Sequence, residues 1–395
     1  MSASTRAAEP HDFSVVLGGP LYQTYRRTHL CGPTLELVVR RIIVLTAVAW
    51  LPLLILSIVD GSVLGGAVQP FLLAVDVHAR LLVALPLLIA AEISVHKQLS
   101  VTSRVFVDRG LVPERARPLL EAATASALRL RNSAVAEVLL LIFVYAVGIT
   151  FIWRHVGALQ IDTWYRHTGA RAGITFAGWW YVLVSLPLFQ FLLFRWYYRL
   201  LIWTGFLWKV ARAGLDLVPS HPDRCGGLGF LGISTYALMP LLVAHGALFA
   251  GVAASGILFQ DRQLVDYWQE LFVVTALVLA VALSPMLVFV PTLFRVKRAG
   301  LSEYGALAQR YVRQFDSKWI RGAAAENDPL LGSGDIQSLA DLANSYATIS
   351  GMRLIAVSNR TVLQLALATV APLAPLLLTI YTPRQVAALL LKSLF

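Results

Sequence analysis

The sequence predicts an all-α fold, a polytopic integral membrane helix bundle of about seven transmembrane helices with cytosolic helical extensions. Hydrophobic residues make up 57% of the 395 residues and charged residues only 14%, against about 45–50% and about 25% in soluble domains. Several apolar runs of about 18 residues or more are each long enough to cross a hydrocarbon core about 30 Å thick. These observations exclude a soluble nucleotide-binding enzyme, a disordered chain, a disulfide scaffold and a transmembrane barrel.

The apolar runs predict seven spans. In chain order they cover residues 42–59, 71–95, 134–153, 177–194, 234–259, 271–294 and 362–381. The first residues of the chain lack the apolar core of a cleaved signal, so the first span is expected to direct insertion. The chain then divides into a cytosolic N-terminal segment (1–41) and a single transmembrane helical domain (42–395), with cytosolic connections at 96–133, 195–233 and 295–361.

Basic residues predict the orientation. Of the 33 Lys and Arg residues, 26 lie in the N-terminal segment and the three connections just named, and six lie in the alternate segments. Because basic residues collect on the cytosolic side of a membrane, we expect a cytosolic N-terminus and a C-terminus outside. The strong excess of Arg over Lys is typical of GC-rich bacterial genomes, so the expected location is the bacterial plasma (inner) membrane.

The net charge of +11 is therefore expected at the cytosolic face, where it suits the anionic headgroups of the lipid bilayer. No feature of this pattern requires nucleic acid. Cys31 and Cys225 both fall on the reducing cytosolic side, so no disulfide is expected. No metal or cofactor is expected either, because the sequence contains neither HExxH nor CxxC, and one His with one Asp cannot complete a zinc site.

Two cytosolic connections are expected to prolong the spans. An apolar periodicity that begins at Pro118 continues into the third span, and one continuous helix of that length would extend about 50 Å. The segment 195–212 mixes Trp and Tyr with basic residues, which is typical of the headgroup level of a membrane. This segment is interpreted as an interfacial helix or a tilted extension of the fourth span, with a lipid-headgroup site as the alternative.

Ionisable residues inside the spans are candidates for a pathway, because such residues are costly in hydrocarbon. The candidates are Asp76, His78, Arg80, Glu92, His96, Glu137 and His245. Asp76 and Arg80 are four residues apart, so they share a helix face and can pair. Glu92 and Glu137 are expected at the same depth, and His245 near the midplane.

These residues predict a discontinuous polar line from the outer end of the bundle to the inner end, of the kind that carries protons or ions. The alternative is that each side chain is paired locally or reaches a headgroup. The fifth span adds small residues every four positions, at Ala247, Gly251 and Ser255, which let helices approach closely. They serve either the core of the bundle or the interface of a homo-oligomer.

The most distinctive cytosolic string is VPSHPDRCGGLGF, residues 218–230. Its prolines end the preceding helix, and its glycines permit backbone geometry that other residues resist. The candidate residues are His221, Asp223, Arg224, Gly226, Gly227 and Gly229. The string is interpreted as a structural elbow, as a catalytic or ion-coordinating loop, or as a loop that docks a partner.

A capped helix is predicted in GSGDIQSLADLANSYATISG, residues 332–351. Asp335 or Ser333 is the expected N-cap, and Gly351 is the expected stop. An apolar stripe follows one side of this helix. The polar residues on the other side are Asp335, Ser338, Asp341 and Ser345. The helix is expected to pack on its own protein, with binding of an unknown protein partner as the alternative.

Two strings together carry a resemblance. HPDRCGGLGF, followed about 110 residues later by GDIQSLADLANSY, is similar to strings shared by a group of bacterial multi-pass membrane proteins. The matching strings cover under a tenth of the chain, and their order and the hydropathy also agree. The resemblance implies a bacterial membrane protein with about seven spans. It implies no activity, so it assigns no functional residue.

Three functional hypotheses follow. The leading one is the movement of a small solute or ion, with proton coupling as a variant, along the ionisable residues of the spans. The second is a membrane scaffold or assembly subunit that binds a partner through the cytosolic loop and helix. The third is an enzyme acting on a lipid-like substrate with His221 and Asp223 as its acid/base pair. No catalytic residue is assigned, and an enzyme is the last of the three hypotheses.

Overall fold

The computed structural model describes residues 13–30, 32, 37–158, 163–167, 173–322 and 334–379, and at 148–158 it describes the backbone alone. In chain order the helices are α1 (Pro20–Arg27), α2 (Val38–Asp60), α3 (Val75–Asp108), α4 (Arg117–Arg131), α5 (Ala134–Ala158), α6 (Phe176–Arg212), α7 (Phe230–Phe259), α8 (Leu264–Leu287), α9 (Val290–Phe315), α10 (Gly334–Ser350) and α11 (Asn359–Thr379). Short helical turns at Phe71–Leu73 and Glu114–Ala116 precede α3 and α4, and a turn at Asp316–Ile320 prolongs α9. The strands β1 (Arg166–His167) and β2 (Gly173–Ile174) form one antiparallel pair. The all-α prediction is confirmed.

Six helices within the described residues are long and apolar enough to cross a membrane: α2, α3, α6, α7, α8 and α11. The bent pair Glu114–Arg131 and Ala134–Val147, whose two parts meet at 45°, makes seven if it is counted as one span. The chain is therefore a multi-pass membrane protein, and six to seven helices agree with the predicted number of about seven. The predicted end of the last span, Tyr381, lies outside the described residues.

Two spanning helices continue well past the apolar runs that predicted them. α3 ends at Asp108 rather than at residue 95, and α6 ends at Arg212 rather than at residue 194. In the added part of α6, Trp196 and Trp203 are buried inside the protein. The interpretation of residues 195–212 as an extension of the fourth span is therefore confirmed.

The helix expected from Pro118 into the third span is not continuous. The chain breaks between α4 and α5, at Asn132 and Ser133. The Ser133 hydroxyl accepts the amide hydrogen of Ala136 at 3.2 Å, so it acts as the N-cap of a new helix. The prediction of one continuous helix was wrong because a polar pair in an otherwise periodic pattern starts a second helix.

Pro86 and Pro187 each follow a widened helical turn. The π-helical turns cover Ala79–Ala84 in α3 and Tyr181–Ser185 in α6. Proline lacks an amide hydrogen and its ring clashes with the carbonyl four residues earlier, whereas a π turn adds a residue and relieves that geometry. Both helices pass the proline without ending. The added residue changes which neighbouring side chains share a face.

The sixth predicted span, 271–294, is two helices. α8 ends at Leu287 and α9 begins at Val290. Pro291 lies in the first turn of α9, where its missing amide hydrogen costs no helical bond. Phe289 is buried at the break. α9 then leads to α10, which packs against it.

The small residues of α7 give close contacts with three neighbouring helices. A side-chain carbon at Gly246 would overlap the carbonyl oxygen of Thr369 in α11, and one at Gly256 would overlap the hydroxyl of Tyr267 in the first turn of α8. A side-chain carbon at Gly251 would lie 2.7 Å from Ala79 of α3. The small residues predicted in the fifth span therefore pack inside this protein.

Candidate functional site

A cavity of about 610 Å³ lies between α3, α6 and α7, and we call it the groove. Polar side chains line the end formed by the start of α3, the start of α6 and the end of α7; they are Gln69, Asp76, Arg80, Tyr181, Ser255 and Gln260. Apolar side chains line most of the remaining length, among them Val182, Leu186, Phe189, Leu193, Leu248 and Val252, and Gln190 is a polar side chain among them. The groove is therefore amphipathic, with its polar end on the side predicted to be outside.

The polar end of the groove contains two opposite charges. Arg80 donates a hydrogen bond to the hydroxyl of Tyr181. Oδ1 of Asp76 is buried, and within the described residues it accepts no hydrogen bond. Asp76 and Arg80 also form no ion pair with each other in the described structure. Arg80 lies in the π-helical turn that begins at Ala79, whereas that pair was predicted from α-helical geometry.

His78 belongs to an aromatic contact rather than to the groove. Its Nε2 lies 3.0 Å from the carbonyl oxygen of Phe71, and Trp50 Nε1 donates to its Nδ1 across 3.0 Å. Because a carbonyl oxygen can only accept, the proton is on Nε2 and the ring is neutral. Both ring nitrogens of His78 are engaged in these contacts. His78 therefore does not line the groove, although it is only two residues from Asp76.

His245 connects α7 to α6 about one helical turn beyond the inner end of the groove. The hydroxyl of Tyr197 lies 2.6 Å from Nε2, and Nδ1 lies 2.7 Å from the carbonyl oxygen of Leu241. The carbonyl requires the proton on Nδ1, so Tyr197 donates to Nε2. This hydrogen bond joins the two walls of the groove and closes its inner end.

Glu92 is the centre of a buried group of charges. Its carboxylate oxygens lie 2.7 Å from Arg41, 2.8 Å from Arg199 and 3.7 Å from Arg195. Arg195 also contacts Glu137 at 3.0 Å. All five side chains are buried, and we call them the ion cluster. Its three arginines outnumber its two carboxylates, so each carboxylate is fully compensated.

The ion cluster joins two residues that the sequence predicted at one depth, Glu92 and Glu137, and adds three arginines that the sequence analysis missed. Arg41, Arg195 and Arg199 lie at the ends of apolar runs, where basic residues usually reach headgroups. A signal was present, because Arg195 and Arg199 are one helical turn apart at the depth of the two carboxylates. The helices continue beyond the apolar runs, and that extension buries these arginines.

The N-terminal segment, residues 13–27, covers the ion cluster. Glu137 Oε2 accepts the amide hydrogen of Leu21 at 2.8 Å. The Arg41 guanidinium lies 5.2 Å from the centre of the Tyr25 ring. Burial, followed by the negative charge of Glu92, raises the pKa of Tyr25, so this phenol stays neutral beside the cluster.

Further contacts fix the same segment. His96 Nδ1 lies 2.9 Å from the hydroxyl of Ser14, and Arg131 donates to the carbonyl oxygen of Ser14 at 2.7 Å. The Phe13 ring stacks on Phe206 with 4.5 Å between centres. The segment predicted to be a cytosolic N-terminal region therefore packs into the bundle from residue 13 onwards. His96 contributes to that packing.

The loop 218–230 is organised around the carboxylate of Asp223. Its Oδ1 accepts the amide hydrogens of Cys225 at 2.8 Å and Gly227 at 3.1 Å, and Oδ2 accepts that of Gly229 at 2.8 Å. His221 Nδ1 lies 2.9 Å from Oδ1. Burial alone would raise the pKa of Asp223, but the hydrogen bonds from these groups outweigh it and hold the pKa below its ordinary value.

The backbone of the loop explains its glycines. Gly226 and Gly227 have φ angles of 64° and 97°, a region in which residues with a side chain are strained. Arg353 donates to the carbonyl oxygen of Asp223 at 3.1 Å, and the amide of Arg353 donates to the carbonyl oxygen of Arg224 at 2.8 Å. The chain that follows α10 thus holds the loop. These bonds account for the loop as a structural elbow.

The Asp223 hydrogen bonds predict a loop that loosens in acid. Because the folded pKa is lowered, the contribution of Asp223 to stability is complete above the unfolded value of about 3.9 and is lost as the pH falls through the folded value. Asp223→Asn should lower the protection of the Cys225, Gly227 and Gly229 amides against hydrogen exchange by about tenfold near neutral pH, since bonds to a charged acceptor contribute about 1.5–3 kcal/mol.

Hydrogen exchange followed by mass spectrometry checks this expectation, with rates corrected for intrinsic exchange. The difference between Asp223→Asn and the unmodified protein should shrink at acidic pH. Asp216→Asn, at an exposed position in the preceding segment, is the control and should leave the loop amides protected. Equal protection in all three proteins would mean that the carboxylate does not organise the loop.

The helix predicted in residues 332–351 is confirmed as α10, and Gly351 follows its last residue. Asp335 does not serve as an N-cap; its Oδ2 accepts hydrogen bonds from Lys318 Nζ at 3.0 Å and Trp319 Nε1 at 2.9 Å. The alternative N-cap, Ser333, lies outside the described residues. The side chain of Asp335 therefore connects α10 to the end of α9.

Among the described residues, the remaining polar candidates on α10 have no shared partner. Ser338 and Asp341 are exposed, and Ser345 is half-buried. Asp341 accepts a hydrogen bond from Gln337 within the same helix at 2.9 Å. Ile336 is 48% exposed, so the apolar stripe is only partly covered by α9.

No group of three or more His, Cys, Asp or Glu side chains is arranged to hold a metal ion in the described part of the chain. Cys225 is a buried free thiol, and burial raises its pKa, which makes it a weak nucleophile. Cys31 lies outside the described residues. No protein-family model, curated protein or solved structure matches this chain.

Proposed function

We propose that the protein moves a small polar or amphiphilic solute through the groove. The observation that carries this proposal is a cavity of about 610 Å³ with both a carboxylate and a guanidinium at one end, a size typical of small-molecule sites. Oδ1 of Asp76 is buried and, within the described residues, accepts no hydrogen bond. A buried polar atom of this kind is costly, which supports a ligand-binding role for this end.

The inner end of the proposed route is closed. The Tyr197–His245 hydrogen bond joins α6 to α7, and Glu92 lies about 24 Å from Asp76 along α3, at 1.5 Å per residue. The ion cluster and the N-terminal segment fill the bundle at that depth. A groove that is blocked at its inner end is expected of one state of a transporter that works by alternating access.

The proposal includes an orientation. The groove opens to the outside of a bacterial plasma membrane, and the N-terminal segment and the loop 218–230 are cytosolic, as the basic residues predict. A solute would then enter from outside, and its release would require the N-terminal segment to separate from Glu137 and Arg195.

A second candidate function is a membrane scaffold that binds a protein partner through α10. The partial exposure of its apolar stripe, with Ile336 48% exposed, favours this candidate. The groove plays no part in a scaffold, so the two functions predict different associated molecules.

Native mass spectrometry of the full-length protein, extracted gently from its host, tests the two functions together. A retained solute or lipid supports the groove as a binding site and identifies the molecule for transport assays. A reproducible protein partner, without a small molecule, supports the scaffold. Retention of neither contradicts both. Uptake of the identified molecule by proteoliposomes, at a rate above that of empty liposomes, then tests movement itself.

Val252→Trp is expected to block the groove. Val252 lines it and is 51% exposed, so the larger ring can occupy the groove without displacing the core. We expect the retained molecule to be lost and its counterflow in proteoliposomes to fall by about tenfold or more, since a factor of ten corresponds to only about 1.4 kcal/mol of binding free energy.

Ile233→Trp is the matched control for this substitution. Ile233 lies on the same helix, is 59% exposed and does not line the groove. Its retention and counterflow should equal those of the unmodified protein. An equal loss in both variants, or no loss in Val252→Trp, would show that the groove is not the route.

A further inference from the structure

The polar groups of the groove are arranged in a definite order along α3. Asp76 lies in the first turn of the helix, at the predicted outer end. Arg80, which donates to Tyr181, is four residues deeper, about 6 Å at 1.5 Å per residue. Deeper still, apolar side chains of α6 and α7 face the same cavity, among them Leu186 and Leu248. The order inward is therefore negative charge, positive charge, and a mainly hydrocarbon wall that includes the uncharged amide of Gln190.

A zwitterionic phospholipid has the complementary order. Its ammonium is outermost, its phosphate lies two carbons inward, and its chains extend into the hydrocarbon of the membrane. We infer that the groove binds a zwitterionic amphiphile whose ammonium pairs with Asp76, whose phosphate pairs with Arg80 and Tyr181, and whose chain lies along the apolar wall. This inference rests on the groove being the ligand site of the proposed function, although it does not require movement.

The chemistry of each contact supports this ligand class. An ammonium group donates to the buried Oδ1 of Asp76, and a guanidinium is the group best suited to a phosphate. A free amino acid also carries both charges, but only one carbon separates its charged groups, and it leaves the apolar length of the groove unfilled. The exposure of Val252 on the side of the bundle lets a chain enter from the surrounding lipid.

The preference of the groove for a zwitterionic amphiphile can be measured with short-chain lipids. Isothermal titration of the full-length protein in maltoside micelles would compare dihexanoyl phosphatidylethanolamine, dihexanoyl phosphatidylglycerol and free phosphoethanolamine. We expect the ethanolamine lipid to bind at least about tenfold more tightly than the glycerol lipid, because a hydrogen bond to a charged group is worth a factor of ten. The free headgroup should bind more weakly than the lipid that carries it.

Substitutions of Asp76 and Arg80 test which part of the headgroup each of these side chains binds. Asp76→Asn should remove the preference for ethanolamine and leave the affinity for the glycerol lipid unchanged, whereas Arg80→Gln should weaken both lipids. Asp108→Asn, an exposed carboxylate at the other end of α3, is the control and should retain the preference. If Asp76→Asn fails to fold, Val252→Trp still tests the chain contact and should weaken both lipids but not free phosphoethanolamine.

The outcomes test the ligand class and distinguish the binding of a zwitterionic lipid from the proposed movement of a solute. Equal affinity for both lipids, or a preference that survives Asp76→Asn, overturns the zwitterion. Equal affinity for phosphoethanolamine with and without its chains overturns the amphiphile, and points to a soluble zwitterion. Binding of the ethanolamine lipid without its transfer between leaflets of a proteoliposome upholds this inference and contradicts the proposed movement. Uptake of another solute by a protein that prefers neither lipid does the reverse.

Discussion

Replacing Glu92 with Gln is expected to lower the free energy of unfolding by about 3–5 kcal/mol. The carboxylate of Glu92 contacts three arginines, two of them within 2.8 Å, and its side chain is only 6% exposed. The amide of Gln keeps the shape but removes the charge, so Arg41 and Arg199 lose their buried counter-ion. A buried charge without compensation is far more costly than an exposed one.

Equilibrium unfolding of the full-length protein in mixed dodecyl sulfate and maltoside micelles measures this change. Glu121→Gln is the control, since Glu121 is exposed on α4 and should change stability by no more than about 0.5 kcal/mol. Adding Arg199→Gln to Glu92→Gln should recover part of the loss, because the double variant removes one of the stranded charges. A loss below about 1 kcal/mol for Glu92→Gln would show that the ion cluster is solvated rather than buried.

The ion cluster shows which features of a membrane protein its sequence predicts and which it does not. Hydrophobic runs locate the spans because the cost of placing polar groups in hydrocarbon acts residue by residue. The same reasoning singles out Glu92 and Glu137 as unusual. It does not find their partners, because basic residues near span ends usually reach headgroups. Burial of Arg195 and Arg199 depends on α6 continuing to Arg212, which only the packed structure determines.

The side-chain register within a span is a second feature that the sequence alone does not predict. The predicted Asp76–Arg80 pair assumed α-helical spacing throughout the second span. The π-helical turn Ala79–Ala84, ahead of Pro86, includes Arg80 and departs from that geometry. Arg80 then contacts Tyr181 of another helix, so Asp76 and Arg80 both line the groove without pairing with each other. A proline in the sequence warns of such a change, but it does not say which neighbouring helix receives the displaced side chain.

The packing of the N-terminal segment is a third feature that the sequence alone does not predict. Residues 13–27 contain no apolar run long enough for a span, and the basic residues predict a cytosolic location for them. Their burial depends on a few specific bonds, such as that from the amide of Leu21 to Glu137 and that from Arg131 to Ser14. Such bonds join groups more than a hundred residues apart in sequence, and no periodicity reports them.

Gly246→Ala is expected to destabilise the protein by about 3 kcal/mol, at the upper end of the usual cost of overpacking. The added carbon would overlap the carbonyl oxygen of Thr369 and would lie 3.2 Å from Pro372. Both belong to α11, and a backbone carbonyl cannot rotate away as a side chain can. The whole of α7 must therefore move from α11, at the expense of the contacts on either side of Gly246.

Gly205→Ala gives the same chemical change without the obstacle. Gly205 lies inside α6, and apart from its own helix no atom of the described residues lies within 4 Å of the added carbon. Because alanine favours helix by about 0.5–1 kcal/mol over glycine, this control should be neutral or slightly stabilising in the same micellar unfolding assay. A difference of several kcal/mol between the two variants would locate the small residues of α7 in an interface within one chain. If Gly246→Ala were as stable as Gly205→Ala, α7 and α11 would not be in direct backbone contact, and those small residues would be free to serve a contact between two copies of the protein.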